Sequence, residues 1–301
     1  MKLAISGATG FIGSGLVERL NGQNHALVLL SRKPPARQSG AATRWVTWDP
    51  GLAGSWQSEL DGVDGVINLA GEPIAGRRWS DEHKRILYSS RVKTTRMIVD
   101  AIAKAKHRAK FLINASAVGY YGPHGDEILS EASPPGSDFL ARLCAAWEAE
   151  ANKARELGVR VALVRTGIVL GKGKGALAKM VTPFKFFAGG RLGSGKQWFP
   201  WIHLEDELGL IHCLIENEQA DGPFNATAPN PVTMEEFCKA LGKTLNRPSW
   251  APVPASVLSL VLGEMADMLL TGQRAMPQAA LNLGYKFKYP ELLEALASLR
   301  L

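Results

Sequence analysis

Cysteine is scarce, with three residues in 301, Cys144, Cys213 and Cys238, odd in number and far apart. This excludes a disulfide framework, and without a Cys-x-x-Cys pair no metal site is read; free thiols in a reducing compartment are expected. Long hydrophobic runs are lacking too. The most apolar late stretch, VPASVLSLVLGEMADMLL (residues 253–270), is interrupted by Glu264 and Asp267 and is too short to cross a bilayer, so it reads as a docked amphipathic helix. The opening MKLAISGATGFIG passes from one lysine into glycines without the apolar core of a secretory leader, which points to a cytoplasmic location. No internal repeat or low-complexity linker divides the chain.

What is present describes an ordinary globular protein of roughly two domains, 46% hydrophobic and 21% charged. The formal net charge of +7 invites a nucleic-acid partner. Its densest basic run, KAKHRAK from Lys104 to Lys110, falls at the end of a predicted helix, where cations complement the dipole, and no aromatic-basic signature accompanies it. Neither nucleic acid nor membrane is expected as a partner. A positive field suits an anionic cofactor instead.

The amino-terminal residues carry the most specific pattern. Lys2 to Ser6 reads as a short strand, GATGFIG supplies Gly7, Gly10 and Gly13, and Phe11 to Leu20 has helical periodicity. Strand, glycine turn and helix together make a diphosphate cradle, because a phosphate needs exposed backbone N–H groups and close approach. Gly7 makes the turn, Gly10 admits the pyrophosphate, and Gly13 lets the helix pack on the sheet.

The second strand, HALVLLS, ends at Ser31 and is followed by Arg32, where an NAD-specific site usually places an acid for the ribose hydroxyls. A hydroxyl and a guanidinium at that point suit the 2'-phosphate of NADP(H). Further strands read as RWVTW, GVINLA, KFLINAS and VRVALVRT, alternating with helices that include a long one from Asp81 to Lys106 and another from Asp138 to Gly158. The expected fold is α/β: a Rossmann-type doubly wound parallel sheet over residues 1–230, with a smaller substrate-side domain over 247–301. The aromatics Trp198, Phe199 and Trp201 suit the apolar lining of a substrate pocket, although three aromatics so close together are more often core.

SGATGFIG, VINLAGEPI, NASAVGYYG and RTGIVLG resemble the extended and atypical branch of the short-chain dehydrogenase/reductase superfamily, which includes nucleotide-sugar epimerases. GSGKQWFPWIHLED, RPSWAPVPA and GEMADMLLTGQRAMP resemble, within it, the epimerase family proteins that carry a carboxy-terminal domain of unknown function. The resemblance spans essentially the whole chain. It implies cofactor contacts from Gly7, Thr9, Gly10, Phe11, Ile12, Ser31, Arg32, Leu69, Ala70, Arg91 and Ile168, beside the helix-packing Gly13. An acid at Asp49 is the counterpart of one that reaches the adenine.

The same resemblance implies a Tyr-x-x-x-Lys pair on the helix that begins near Asp138, the tyrosine moving a proton and the lysine lowering its pKa. Here those positions hold Cys144 and Glu148. A carboxylate beside a thiol raises its pKa, where lysine would lower it. Cys144 is therefore expected to be a small buried residue, and Glu148 an acid able to reach the cofactor ribose. Ser116 and Tyr121 remain as catalytic candidates, with Glu72, His203 and Asp206 as nearby polar groups. Two functions fit: an NADP(H)-dependent oxidoreductase or epimerase-like enzyme acting on an unidentified small molecule, or an NADPH-binding sensor without turnover.

Overall fold

The computed structural model describes residues 1–35 and 42–301. Seven parallel strands are formed by β1 (Lys2–Ser6), β2 (Ala26–Ser31), β3 (Thr43–Thr47), β4 (Gly65–Asn68), β5 (Phe111–Ala117), β6 (Arg160–Thr166) and β7 (Gly222–Ala226). Their spatial order is β7-β6-β5-β4-β1-β2-β3, so the order in which strands are added switches sides between β1 and β4. That switch opens a crevice at the carboxyl ends of the strands.

Both faces of the sheet are covered, which is why the strands are apolar at nearly every position. Leu3, Ile5, Leu27, Leu29, Ile113 and Val164 pack toward one face, and Ala4, Val28, Leu30, Leu112 and Leu163 toward the other. The first face is covered by α1 (Phe11–Asn21) and a later helix, and the second by α3 and α4. The helix expected from Asp81 to Lys106 is in fact α2 (Asp81–Tyr88), a π-helical turn at Ser89–Lys93, and α3 (Thr94–Lys104). Ser80 caps α2 by accepting from the His83 N–H, with Asp81 and Glu82 favouring the positive end of the dipole. In the same way Asp138 caps α4 (Phe139–Asn152), which runs on through a 3-10 turn to Gly158 at φ +79°.

Beyond α5 (Gly175–Lys185) and α6 (Leu204–Glu216), the carboxy-terminal residues fold back on the same body. The Asp206 carboxylate accepts from the backbone N–H groups of Lys288 and Tyr289, and His203 accepts from the Glu205 N–H while stacking near Tyr289. Leu292, Ala295 and Leu296 share one core with Phe237 of α7 (Met234–Leu245), Phe199 and Trp201. The last two aromatics are thus core residues, 2% and 1% exposed, and do not line a pocket; Trp198 alone is half-buried, its indole donating to Asp126.

The apolar stretch 253–270 also differs from its expectation. It breaks into α8 (Ala255–Leu262), a 3-10 turn at Gly263–Ala266 and a short helix at Asp267–Leu270. None of α8 is buried, and Leu260 is 78% exposed. ASVLSLVL is apolar almost all round, so its periodicity specifies no face to dock; the turn behind it does the anchoring, through buried Met265 and Ala266 and a Glu264–Lys84 ion pair.

Gly13 shows how tightly α1 meets the turn before it: a Cβ there would lie 2.1 Å from the Gly7 carbonyl oxygen. Gly13→Ala should therefore cost about 3 kcal/mol, the upper end for overpacking, because the obstacle is backbone. At exposed Gly125 nothing lies within 4 Å of an added Cβ, and Gly125→Ala should leave the urea midpoint unchanged. Equal midpoints for the two variants would contradict this account.

Candidate functional site

The crevice begins at the first glycine turn. Gly7 sits at φ +72°, and a Cβ on it would approach the Leu69 carbonyl carbon to 2.6 Å, so β1 and β4 can meet only through glycine. Gly10 is exposed, and a Cβ there would meet only the Gly7 oxygen, at 3.1 Å. No side chain caps α1 and no acid sits in its first turn. Its positive dipole end therefore stays free for an anion, which binds through backbone N–H groups. Thr9 is exposed, while Phe11 and Ile12 are half-buried; the Phe11 ring lies against Gly171 and Gly175, leaving main chain as what residue 11 offers a ligand.

Along the crevice, exposed Arg32 lines a cavity of about 650 Å³ with Thr47, Trp48, Asp49 and Trp56. Ser31 is buried, its hydroxyl accepting from the Lys33 N–H. The cation after β2 and the acid after β3 thus face one space. This arrangement suits an adenosine half carrying a 2'-phosphate, for which a guanidinium is a forked donor.

Leu69 and Ala70 just past β4 are half-buried, as is Ile168 just past β6, its N–H donating to the Pro200 carbonyl at 2.6 Å. Arg91 departs from the solvent-facing place that charges on this helix usually take. The π turn swings it inward to 8% exposure, where it donates to the carbonyls of Glu72 (2.9 Å) and Leu87 (3.2 Å) and lies over the Trp147 ring. No carboxylate pairs with it among the described residues. Burial pulls its pKa below the usual arginine value.

The turn of α4 that carries Cys144 and Glu148 is closed by an ion pair. Glu148 and Arg165 of β6 meet through two 2.8 Å hydrogen bonds, side chains 7% and 4% exposed. The Ser116 hydroxyl donates to Glu148 at 2.6 Å, and Arg165 donates further to the Tyr121 oxygen and the Glu131 carbonyl. Its guanidinium stacks 3.5 Å from the centre of the Tyr120 ring. Burial opposes the charge on Arg165, yet the hydrogen bonds and field of Glu148 hold its pKa above the ordinary value. Glu148 is accordingly committed inside the protein and does not reach out to a ribose, correcting the sequence expectation.

Cys144 is 4% exposed, and burial, reinforced by Glu148, pushes its thiol up to about 12 although Arg91 opposes the shift. It is a neutral thiol at neutral pH. Tyr121 is fully buried; its hydroxyl donates to Asn225 at 2.6 Å, and burial raises it to about 12. Ser116 is 4% exposed at the end of β5. The structure thus brings Ser116, Tyr121 and Glu148 into one network through Arg165, with Cys144 one helical turn before Glu148, while Glu72 contributes backbone, and His203 and Asp206 serve α6 and the carboxy-terminal chain.

Two groups escaped the sequence. Asn68 holds the ends of three strands together: it accepts from Ser6 (2.6 Å) and donates to Asn114 (2.7 Å) and Thr95 (2.9 Å), and Thr95 in turn accepts from the Trp147 indole. A polar residue closing an apolar strand in both GVIN and FLIN was the signal. Glu207, on α6, is 1% exposed; one carboxyl oxygen accepts from Thr166 at 2.8 Å and the other has no partner. Burial pushes it up to about 8 against the Thr166 hydrogen bond.

The pattern of the NAD dependent epimerase/dehydratase family matches residues 3–226, and that of a domain of unknown function, DUF1731, matches residues 253–299. The chain is 45% identical over 306 residues to the chloroplastic epimerase family protein SDR39U1 homolog of Arabidopsis thaliana, covering 99% of this chain and 86% of the relative. It is 41% identical to the epimerase family protein YfhF of Bacillus subtilis, covering 99% and 98%. The crystal structure of human epimerase family protein SDR39U1 with NADPH superposes with a TM-score of 0.88 at 35% identity, covering 100% of this chain and 99% of that one. Among the described residues no helix is long and apolar enough to cross a membrane.

Breaking the buried pair from one side should be costly, since the remaining charge stays buried without a partner. Glu148→Gln is expected to lose about 3 to 5 kcal/mol of stability, and a double replacement by leucine and methionine at 148 and 165 to recover most of it. Urea denaturation of the two variants beside the parent protein checks this, and an unchanged midpoint in Glu148→Gln would contradict it. For Glu207 the folded value of about 8 lies above the ordinary 4.5. Between those values the unfolded chain gives up a proton that the folded chain keeps, so this group lowers stability as pH rises through that window. Glu207→Gln should gain on the parent protein from pH 5 to pH 8 in thermal melts (~ values spanning the window); a constant difference would show that the carboxyl is ionised in the fold.

Proposed function

Since the chain belongs to the NAD-dependent epimerase/dehydratase family, we propose that it binds NADPH and acts as an oxidoreductase or epimerase-like enzyme on a small molecule, without the Tyr-x-x-x-Lys pair. The observation that carries the cofactor choice is Arg32 and Asp49 lining one cavity where the α1 glycine turn leaves a free helix end. The NADPH of the human relative supports it. When bound, the cofactor supplies a hydride at its nicotinamide ring.

This chain's residues divide the remaining work. The N–H groups from Gly10 to Gly13 hold the diphosphate, Ser31 and Arg32 the 2'-phosphate, and Leu69, Ala70 and Ile168 wall the nicotinamide half, with Arg91 fixing the Glu72 loop over it. Ser116 is the proposed polarising group: its one hydroxyl proton is donated to Glu148 in the free protein and would have to turn from that carboxylate to the substrate carbonyl on binding. Tyr121, its proton given to Asn225, positions Arg165. A sensor without turnover is the second function, favoured by one observation: the tyrosine position holds a thiol whose pKa is about 12.

Single-turnover oxidation of bound NADPH, followed by absorbance against a panel of aldehydes, ketones and nucleotide sugars, separates the two. Cofactor oxidation that is lost in Ser116→Ala but kept in Cys144→Ala supports the enzyme; tight binding with no oxidation across the panel supports the sensor. A charge-assisted contact is worth about 1.5 to 3 kcal/mol, so Arg32 should favour NADPH over NADH by about one to two orders of magnitude. Calorimetry on Arg32→Ala should find most of that preference gone. Equal affinity of the parent protein for both cofactors would refute the assignment.

A further inference from the structure

At the edge of the sheet opposite the crevice, three metal-binding side chains converge from distant parts of the chain. His212 and Glu216 lie one helical turn apart at the carboxyl end of α6, and His25 immediately precedes β2. One ligand atom from each lies within 4.8 Å of the other two. We propose that His25, His212 and Glu216 form a binding site for a single Zn²⁺ ion that clamps α6 to the start of β2.

The donor chemistry points to a transition-metal ion: two imidazole nitrogens and one carboxylate match the His₂Glu ligand set of zinc with a water in the fourth position and also the set that holds Fe²⁺, of which zinc binds such donors more tightly, whereas Mg²⁺ and Ca²⁺ take all-oxygen shells. Zinc bonds of about 2.0 to 2.1 Å place ligand atoms roughly 3.3 Å apart in a tetrahedron, closer than the limit seen here. Torsions in Glu216, which is exposed, and His212, which is half-buried, can supply that closure while His25 stays fixed by its burial. His25 is 8% exposed, and its Nδ1 is buried without a hydrogen-bond partner, a state that costs stability in the metal-free protein. Binding gives the site a net charge of about +1, two neutral imidazoles and one carboxylate having met a dication.

The site stands apart from the crevice, because the parallel strands carry the glycine turn at one edge and His25 at the other. Zinc should therefore change stability and leave NADPH affinity alone. Cys213, next to His212 in sequence and a half-buried free thiol, is the rival ligand.

The test uses the full chain stripped by chelator. Titration of ZnCl₂ by calorimetry should show about one equivalent bound, with affinity falling as pH drops through the histidine range of about 6.5, and thermal melts should rise by several degrees in excess zinc. His212→Ala and Glu216→Ala, both at accessible positions, should weaken zinc binding by at least about tenfold while keeping the parental NADPH affinity. Cys213→Ser should bind zinc as the parent does. Absence of stoichiometric binding, equal affinity in His212→Ala, or loss of binding in Cys213→Ser would each overturn the proposal.

Discussion

The buried pair of Glu148 and Arg165 is the contact on which the centre of this protein depends. Two ions taken out of water are tolerable only if every donor and acceptor is met, and here they are: Arg165 donates from three nitrogens, to Glu148, Tyr121 and the Glu131 carbonyl, while Glu148 also accepts from Ser116. One pair therefore joins α4 to β6, reaches β5 through Ser116, and continues through Tyr121 to Asn225 on β7. Charge and packing act together, because the guanidinium also lies over the Tyr120 ring.

This pairing decides the character of the α4 turn that carries Cys144 and Glu148: Glu148 is an anion already neutralised by its neighbour. With no cation close enough to outweigh burial, Cys144 stays a neutral thiol. Arg91 is the cation that does lie near, and its hydrogen bonds go to the carbonyls of Glu72 and Leu87. The π turn that carries it is a small irregularity in a long helix with a large effect, since it converts a surface position into a crevice wall.

The cofactor half rests on a different constraint, the close approach of main chain to main chain. Gly7 against Leu69, and Gly13 against Gly7, bring β1, β4 and the start of α1 together with no side chain between them. The strand order switches sides at that junction, and the Asn68 network ties the same strands. The glycine junction and the buried Glu148–Arg165 network are thus built from separate contacts.

The sheet and its glycine turn were legible in the sequence because they rest on local rules: apolar strands, a left-handed glycine, a helix start without an acid, and a cation after Ser31. Even the exchange of the Tyr and Lys positions for Cys144 and Glu148 could be read there. The partners of those residues could not, since Arg165 lies on another strand and only sheet register sets it against Glu148. Trp201 and Phe199 read equally well as pocket or core, and packing against Phe237 and the carboxy-terminal helix decided for core. Arg91 turned inward through a helix irregularity that no periodicity reveals, and Glu207 lost its water to the packing of α6 on the sheet. Sequence alone determined the strands of the sheet and the glycine turn after the first of them, for these follow from residues within a few positions of one another. Tertiary structure decided which charges are paired, which acids are buried and which histidines meet, because desolvation and long-range contact exist only once the chain has closed on itself.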